Sequence, residues 1–279
     1  MLKRTITAII FVLVIFPVYF FSDTLILPIA VSILSVMGVY EILKCIGTGK
    51  EWRISVPAYI LAAASPFFVR LSDSRYTFLA IYTLAVFAYL MYLLASGVFS
   101  HGKLDVEKIA VSFMGVAYVV TAFLCMILVR DRTHGLYIFF MAMFGPWGSD
   151  VFAYLCGRFF GRHKLIPDVS PKKTVEGALG GIFFDGVAAV TFGFIVSLLD
   201  SSITYVGYPQ LFLAGMIISL VSQVGDLIAS YIKRKYEIKD YGNLLPGHGG
   251  ILDRFDSVLT VMPTMVMLGE LPYILHFFG

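Results

Sequence analysis

The chain has 279 residues, of which 59% are hydrophobic and only 14% charged, and its mean hydropathy is +0.87. Soluble domains carry about 25% charged residues, so a water-solvated globule is excluded and lipid is the natural solvent. The formal net charge of +3 does not point to nucleic acid, because the basic residues flank apolar runs instead of forming an aromatic-laced groove.

Apolar runs of roughly 20 residues, the length that crosses a bilayer core, recur from end to end. They predict an all-α integral membrane protein with about nine transmembrane helices, at approximately 5–22, 24–44, 55–70, 77–99, 107–129, 135–156, 176–199, 209–232 and 251–277. The first run has a basic start like a signal peptide but no small-residue cleavage site, so it reads as a retained span. The third is short and proline-bearing, which predicts tilting or partial insertion. Cys45, Cys125 and Cys156 lie far apart, without CxxC or zinc-type spacing, and read as reduced thiols. With the N-terminus placed in the cytoplasm, every one of the 21 Lys and Arg residues except Arg70, Arg75, Arg130 and Arg132 falls on the cytoplasmic side, as the positive-inside rule requires. No loop exceeds about twenty residues and no linker or repeat is evident. The expected architecture is therefore a single membrane domain over 1–279. Within it, 1–140 forms a scaffold open to homodimer contacts, and 141–279 carries the catalytic helices and loops.

Two polar islands interrupt the apolar pattern, both on the cytoplasmic side. The first, GPWGSDVFAYLCGRFFGRHKLIPDVSPKKTVEGALGG, places Asp150 inside the sixth span. An isolated acid there costs several kcal/mol, on the order of 2–4, unless it is paired or faces water. Lys172 and Lys173 follow a Ser-Pro turn, and Gly177, Gly180, Gly181 and Gly186 suit close helix packing. In the second island, Ser222, Asp226, Ser230 and Lys233 share one helical face. Lys233, Arg234, Lys235 and Lys239 then lead to PGHGGILDRFDS, where Asp253 and Asp256 stand one turn apart at a helix start. Capping alone explains one such aspartate. Taken together, hard carboxylate oxygens suit Mg²⁺, cations and free backbone amides suit phosphate, and the combination suits phosphoryl or nucleotidyl transfer. His248 reads equally as a turn residue or a phosphate contact. Neither a Walker A motif nor a nucleophilic Ser-His-Asp or Cys-His spacing is present.

The stretch SYIKRKYEIKDYGNLLPGHGGILDRFD, residues 230–256, resembles the signature of the phosphatidate cytidylyltransferases, with Ser230, Lys233, Arg234, Lys239, Asp240, Gly242, Pro246, His248, Gly249, Gly250, Asp253, Arg254 and Asp256 in place. SDVFAY at 149–154 also resembles this family but departs from its SDTGAY pattern, losing a Thr-Gly pair. The resemblance is dense over 145–257 and rests on hydropathy before residue 140. It implies that CTP and phosphatidate give CDP-diacylglycerol and pyrophosphate at the inner face of a bacterial cytoplasmic membrane, with Mg²⁺ and room for a second cation. It further implies that Asp226, Asp253 and Asp256 hold metal, and that Lys233, Lys239 and Arg254 act in catalysis. Asp150, Lys172, Lys173, Ser230, Arg234, His248, Gly249 and Gly250 would contact the phosphates of the two substrates. A CTP-dependent polyprenol kinase would use similar parts but release CDP. An ion-coupled transporter would place its acids near mid-membrane in paired halves, which this sequence lacks.

Overall fold

A computed structural model of the chain describes residues 17–72, 74–100, 104–244, 249–270 and 277–279. Eight helices are defined: α1 (Ile26–Ile46), α2 (Trp52–Leu71), α3 (Arg75–Phe99), α4 (Val106–Arg130), α5 (Gly135–Phe160), α6 (Val175–Leu199), α7 (Tyr208–Lys235) and α8 (Leu252–Leu268). The first seven are long and apolar enough to cross a membrane, which establishes the all-α membrane class. Most of the expected 5–22 span lies outside the described residues. The expected third span is longer than its hydropathy suggested: α2 runs 20 residues and holds Pro57 and Pro66 within it. Such prolines are tolerated where neighbouring helices and side chains satisfy the freed carbonyls, and Ser65 donates to Leu61 O nearby. Of the expected ninth span, α8 covers Leu252–Leu268, 17 residues, and positions 271–276 lie outside the described residues. Phe278 then pairs with Val206 in an isolated antiparallel bridge.

The chain divides into two compact units, Met1–Leu128 with Lys235–Phe255, and Val129–Arg234 with Asp256–Gly279. In the first, α1 to α4 pack around Leu27, Leu43, Ile54, Leu93 and Phe123, all essentially inaccessible. Polar side chains tie the helices where they meet: Thr48 bonds Ser112 at 2.9 Å, and the Tyr89 hydroxyl donates to Ile54 O at 3.2 Å. Phe255, at the start of α8, meets Phe123 of α4 edge-on at 5.7 Å.

In the second unit α5 and α6 run against each other along a seam of small residues. A Cβ on Gly177 would lie 2.7 Å from Ala153 O and 3.1 Å from the Gly157 Cα, and one on Gly181 would lie 3.1 Å from the Ala153 Cβ. The small-xxx-small logic of membrane helices therefore accounts for EGALGG. Between these helices stands an element the sequence did not announce, an antiparallel hairpin of β1 (Lys164–Ile166) and β2 (Ser170–Thr174). Glu176, in the first turn of α6, holds it down by accepting from the Arg162 amide at 3.0 Å and bonding His163 Nδ1 at 2.6 Å. Thr174 caps α6 by accepting from Gly177 N at 3.2 Å. At the other end of α6, the Tyr137 hydroxyl and both Ser202 donors hold the Asp200 carboxyl down to about 2.

A branched residue on the α5–α6 seam must push the helices apart, and overpacking costs about 1–3 kcal/mol. Gly177→Val should therefore lower the denaturation midpoint in detergent, whereas Gly49→Ala, whose Cβ meets only ordinary contacts, should leave it unchanged.

Candidate active site

The second unit gathers charged groups from both polar islands. β2 brings Lys173 to α7, where its ammonium lies 2.5 Å from Asp226 Oδ2. The pair is close in charge terms, although the amine is not aligned for a directed hydrogen bond. Asp150 of α5 lies within electrostatic reach of both Lys173 and Asp226. Asp256 of α8 lies within reach of Asp226, Lys233 and Asp150. Asp256 comes close to α7 because Gly225 leaves space: a Cβ there would lie 3.1 Å from Asp256 O and would collide with the Thr260 hydroxyl. Thr260 in turn donates to Val221 O at 3.2 Å. Three carboxylates and two ammonium groups, from four separate elements, thus occupy one neighbourhood.

This neighbourhood opens into a cleft of about 270 Å³ whose polar lining includes Asp150, Arg158, Lys172, Lys173 and Gln223. Gln223 of this lining begins a buried relay, donating to Ser219 Oγ at 3.1 Å, with Ser219 bonding Ser149 Oγ at 2.6 Å. The relay continues the polar stripe of α7, on which Ser222 is fully buried and Asp226, Ser230 and Lys233 are half-buried. Arg234 is exposed. Arg158 and Gln223 were not singled out in the sequence. Gln223 carried a usable signal, since it lies between Ser222 and Asp226 on a span otherwise apolar.

The first unit holds the glycine-rich motif, and here the organising residue is one that sequence reasoning missed. Glu41, on α1, is 3% exposed and accepts from Ile251 N at 2.9 Å with Oε1 and from Leu252 N at 2.8 Å with Oε2. It thereby satisfies amides at the start of α8 that have no partner within the helix. Asp253, itself 8% exposed, accepts from Tyr241 N at 2.8 Å and Gly250 N at 3.0 Å through Oδ2. The two carboxylates between them hold four backbone amides. The glycines follow from this arrangement. Cβ atoms on Gly242 and Gly250 would collide with the Glu41 carboxylate, and Gly249 adopts φ +83°, a conformation that side chains disfavour. Lys239 is exposed and Arg254 half-buried in this unit. His248 lies outside the described residues. The signal for Glu41 was an acid within an apolar span, as costly there as Asp150.

Among the described residues no three His, Cys, Asp or Glu side chains form a ready-made metal cage. Mg²⁺ commonly uses one or two protein carboxylates and takes the rest of its oxygens from water and substrate phosphates. The hard-oxygen donors Asp226 and Asp256, with Lys173 and Lys233 nearby, fit that mode.

Residues 2–271 match the model of the cytidylyltransferase family. Similar chains include the phosphatidate cytidylyltransferase of Staphylococcus haemolyticus, 34% identical over 266 residues, which covers 95% of this chain and 97% of that protein. The Staphylococcus aureus phosphatidate cytidylyltransferase is 33% identical with the same coverage. That of Staphylococcus epidermidis is 33% identical over 265 residues, again with 95% and 97% covered.

The Glu41 clamp yields a measurable expectation. Hydrogen bonds to charged groups contribute about 1.5–3 kcal/mol each, so Glu41→Ala should destabilise the protein by about 3 kcal/mol in denaturant titration. Glu41→Gln, which keeps one acceptor oxygen, should recover roughly half of that loss.

Proposed function

The chain belongs to the cytidylyltransferase family, and on that premise we propose that it joins CTP to phosphatidate, yielding CDP-diacylglycerol and pyrophosphate at the cytoplasmic face of the membrane. The observation that carries the proposal is the Lys173–Asp226 pair, with Asp150, Asp256 and Lys233 in electrostatic reach. Its carboxylates suit a divalent cation, its ammonium groups suit phosphate oxygens, and the excess of Lys and Arg toward one end of the spans suits a cytosolic nucleotide.

The reaction asks little of the protein in proton transfer. A phosphatidate phosphate oxygen is already anionic at neutral pH and attacks the α-phosphorus of CTP. The new P–O bond forms as the bond to the β-phosphate bridge oxygen breaks, and pyrophosphate leaves with that electron pair. The barrier is repulsion between two polyanions, together with the entropy of bringing them into line. Lys173 and Lys172 at the cleft, with Lys233 beside the acids, neutralise the phosphates and hold them in register. Asp226 and Asp256 would hold Mg²⁺, whereas Asp253, a metal residue by the motif alone, spends its Oδ2 on the Tyr241 and Gly250 amides and keeps the loop in shape. Bound Mg²⁺ supplies charge neutralisation on the polyphosphate. Lys239 and Arg254 add positive charge for pyrophosphate, Ser230, Arg234 and His248 complete the substrate contacts that the motif implies, and Gly249 and Gly250 leave room for a phosphate beside them.

Purified protein incubated with CTP labelled at the α-phosphate, phosphatidate and Mg²⁺ should transfer label into lipid and release one pyrophosphate per lipid formed. Release of CDP with γ-phosphate in the lipid would overturn the reading in favour of a kinase. Chelation with EDTA should abolish incorporation, and added Mg²⁺ should restore it. Asp226→Asn and Asp256→Asn should each lower turnover about 100-fold or more, the scale of losing preorganised electrostatic stabilisation. Retention of a tenth of wild-type turnover by either variant would exclude an essential metal ligand at that position.

A further inference from the structure

One acid of the second unit takes no part in this chemistry. Asp185 is the eleventh residue of α6, ~15 Å along the helix from its first turn. It is 4% exposed, and its Oδ2 has no hydrogen-bond partner among the described residues. It lines a second cleft of about 150 Å³, bounded by α5, α6 and α7, whose described lining contains no Lys, Arg or His. Glycines leave the carboxyl uncovered on the α5 side: a Cβ on Gly148 would lie 3.4 Å from Oδ1, and one on Gly145 would lie 3.7 Å from Oδ2. The rest of the wall is largely aromatic. Phe140 stacks on Phe192 at 5.0 Å and meets Phe144 at 4.6 Å, and Phe140, Phe144 and Phe192 all line the cleft.

A buried carboxyl without a donor is unfavourable unless something brings one. The lining selects what that is. A small inorganic cation needs several oxygen ligands, whereas this cleft offers one carboxyl among apolar groups. Aromatic faces beside a carboxylate recognise organic cations, and the apolar walls suit an attached alkyl chain. At roughly 30 Å³ for a water-sized group, the volume holds on the order of five heavy atoms, enough for an ammonium group and its first carbons. We propose that the Asp185 cleft binds the ammonium group of a lipophilic amine, with the carboxyl as its counter-ion and the phenylalanines around its alkyl stem.

Trp147 reports on the cleft directly, because its indole packs edge-on against Phe144 at 5.5 Å. The sequence holds two tryptophans, so Trp52→Phe leaves Trp147 as the sole tryptophan, read selectively by excitation at the red edge where tyrosine does not absorb. Titrating that protein with dodecylamine should give a saturable change in Trp147 emission, while dodecanol, equally apolar but uncharged, should give none. Asp185→Asn should weaken dodecylamine binding about tenfold or more, the scale of one charge-assisted hydrogen bond, with cytidylyl transfer retained as proof of folding. Equal responses to amine and alcohol would overturn the proposal, as would unchanged amine affinity in Asp185→Asn. The amine-against-alcohol comparison needs no Asp185 variant and decides the matter if that variant does not fold. Repeating the titration in phosphatidylglycerol vesicles with and without phosphatidylethanolamine separates the sources. Competition by that lipid assigns the site to an amine-bearing headgroup, and its absence to a free amphiphile.

Discussion

A carboxylate set into a lipid-solvated helix must be supplied with donors, and the local architecture of both units follows from how that is done. Glu41 takes two main-chain amides from the start of α8, and Asp253 takes two from the turns beside it. Asp226 takes the ammonium of Lys173. Each solution requires a particular neighbour to be small or a particular strand to be present. Gly242 and Gly250 stay small for Glu41, and β2 exists where it can deliver Lys173. The acids are thus constraints first, and the proposed chemistry would use groups already fixed by the need to satisfy them.

Close helix approach is the second condition. The α5–α6 seam brings Asp150 on one helix near the hairpin that precedes the other, because Gly157 and Gly177 let the backbones meet. Without that approach, Lys172 and Lys173 would sit on a solvated loop with no fixed relation to Asp150. Glu176 secures the arrangement by binding the Arg162 and His163 amides, so the cleft wall is held from beneath by an acid of the first α6 turn.

Hydropathy alone revealed the seven long helices, since apolar length is a local property. It ran the ninth segment through Gly269 and Glu270, which leave the helix, because the residues after Leu268 are apolar enough to continue the pattern. It understated α2, whose first turn begins at Trp52 among polar residues. The hairpin was illegible: Ser170-Pro171-Lys172-Lys173 carries no strand alternation, and contacts from other elements, β1 and Asp226 among them, hold it in place. Asp150, Asp226 and Asp256 stood out because charge beside apolar sequence is conspicuous. The job of Glu41 did not, since its partners are more than 200 residues away and no local pattern encodes such a contact.

The glycine-rich turn before α8 has the composition of an anion nest, a place where successive amides converge on a phosphate. Yet the amides of Gly250, Ile251 and Leu252 are already committed to Asp253 and Glu41, and the positive end of the α8 dipole is answered from within the protein. Those three amides are therefore not free to receive an anion, and on the proposed reading side chains must do so. A family that cradled its nucleotide in main-chain amides could do with few cations, whereas one whose loop is internally neutralised must line its approach with lysine and arginine. The density of positive charge around this motif is the counterpart of that internal neutralisation.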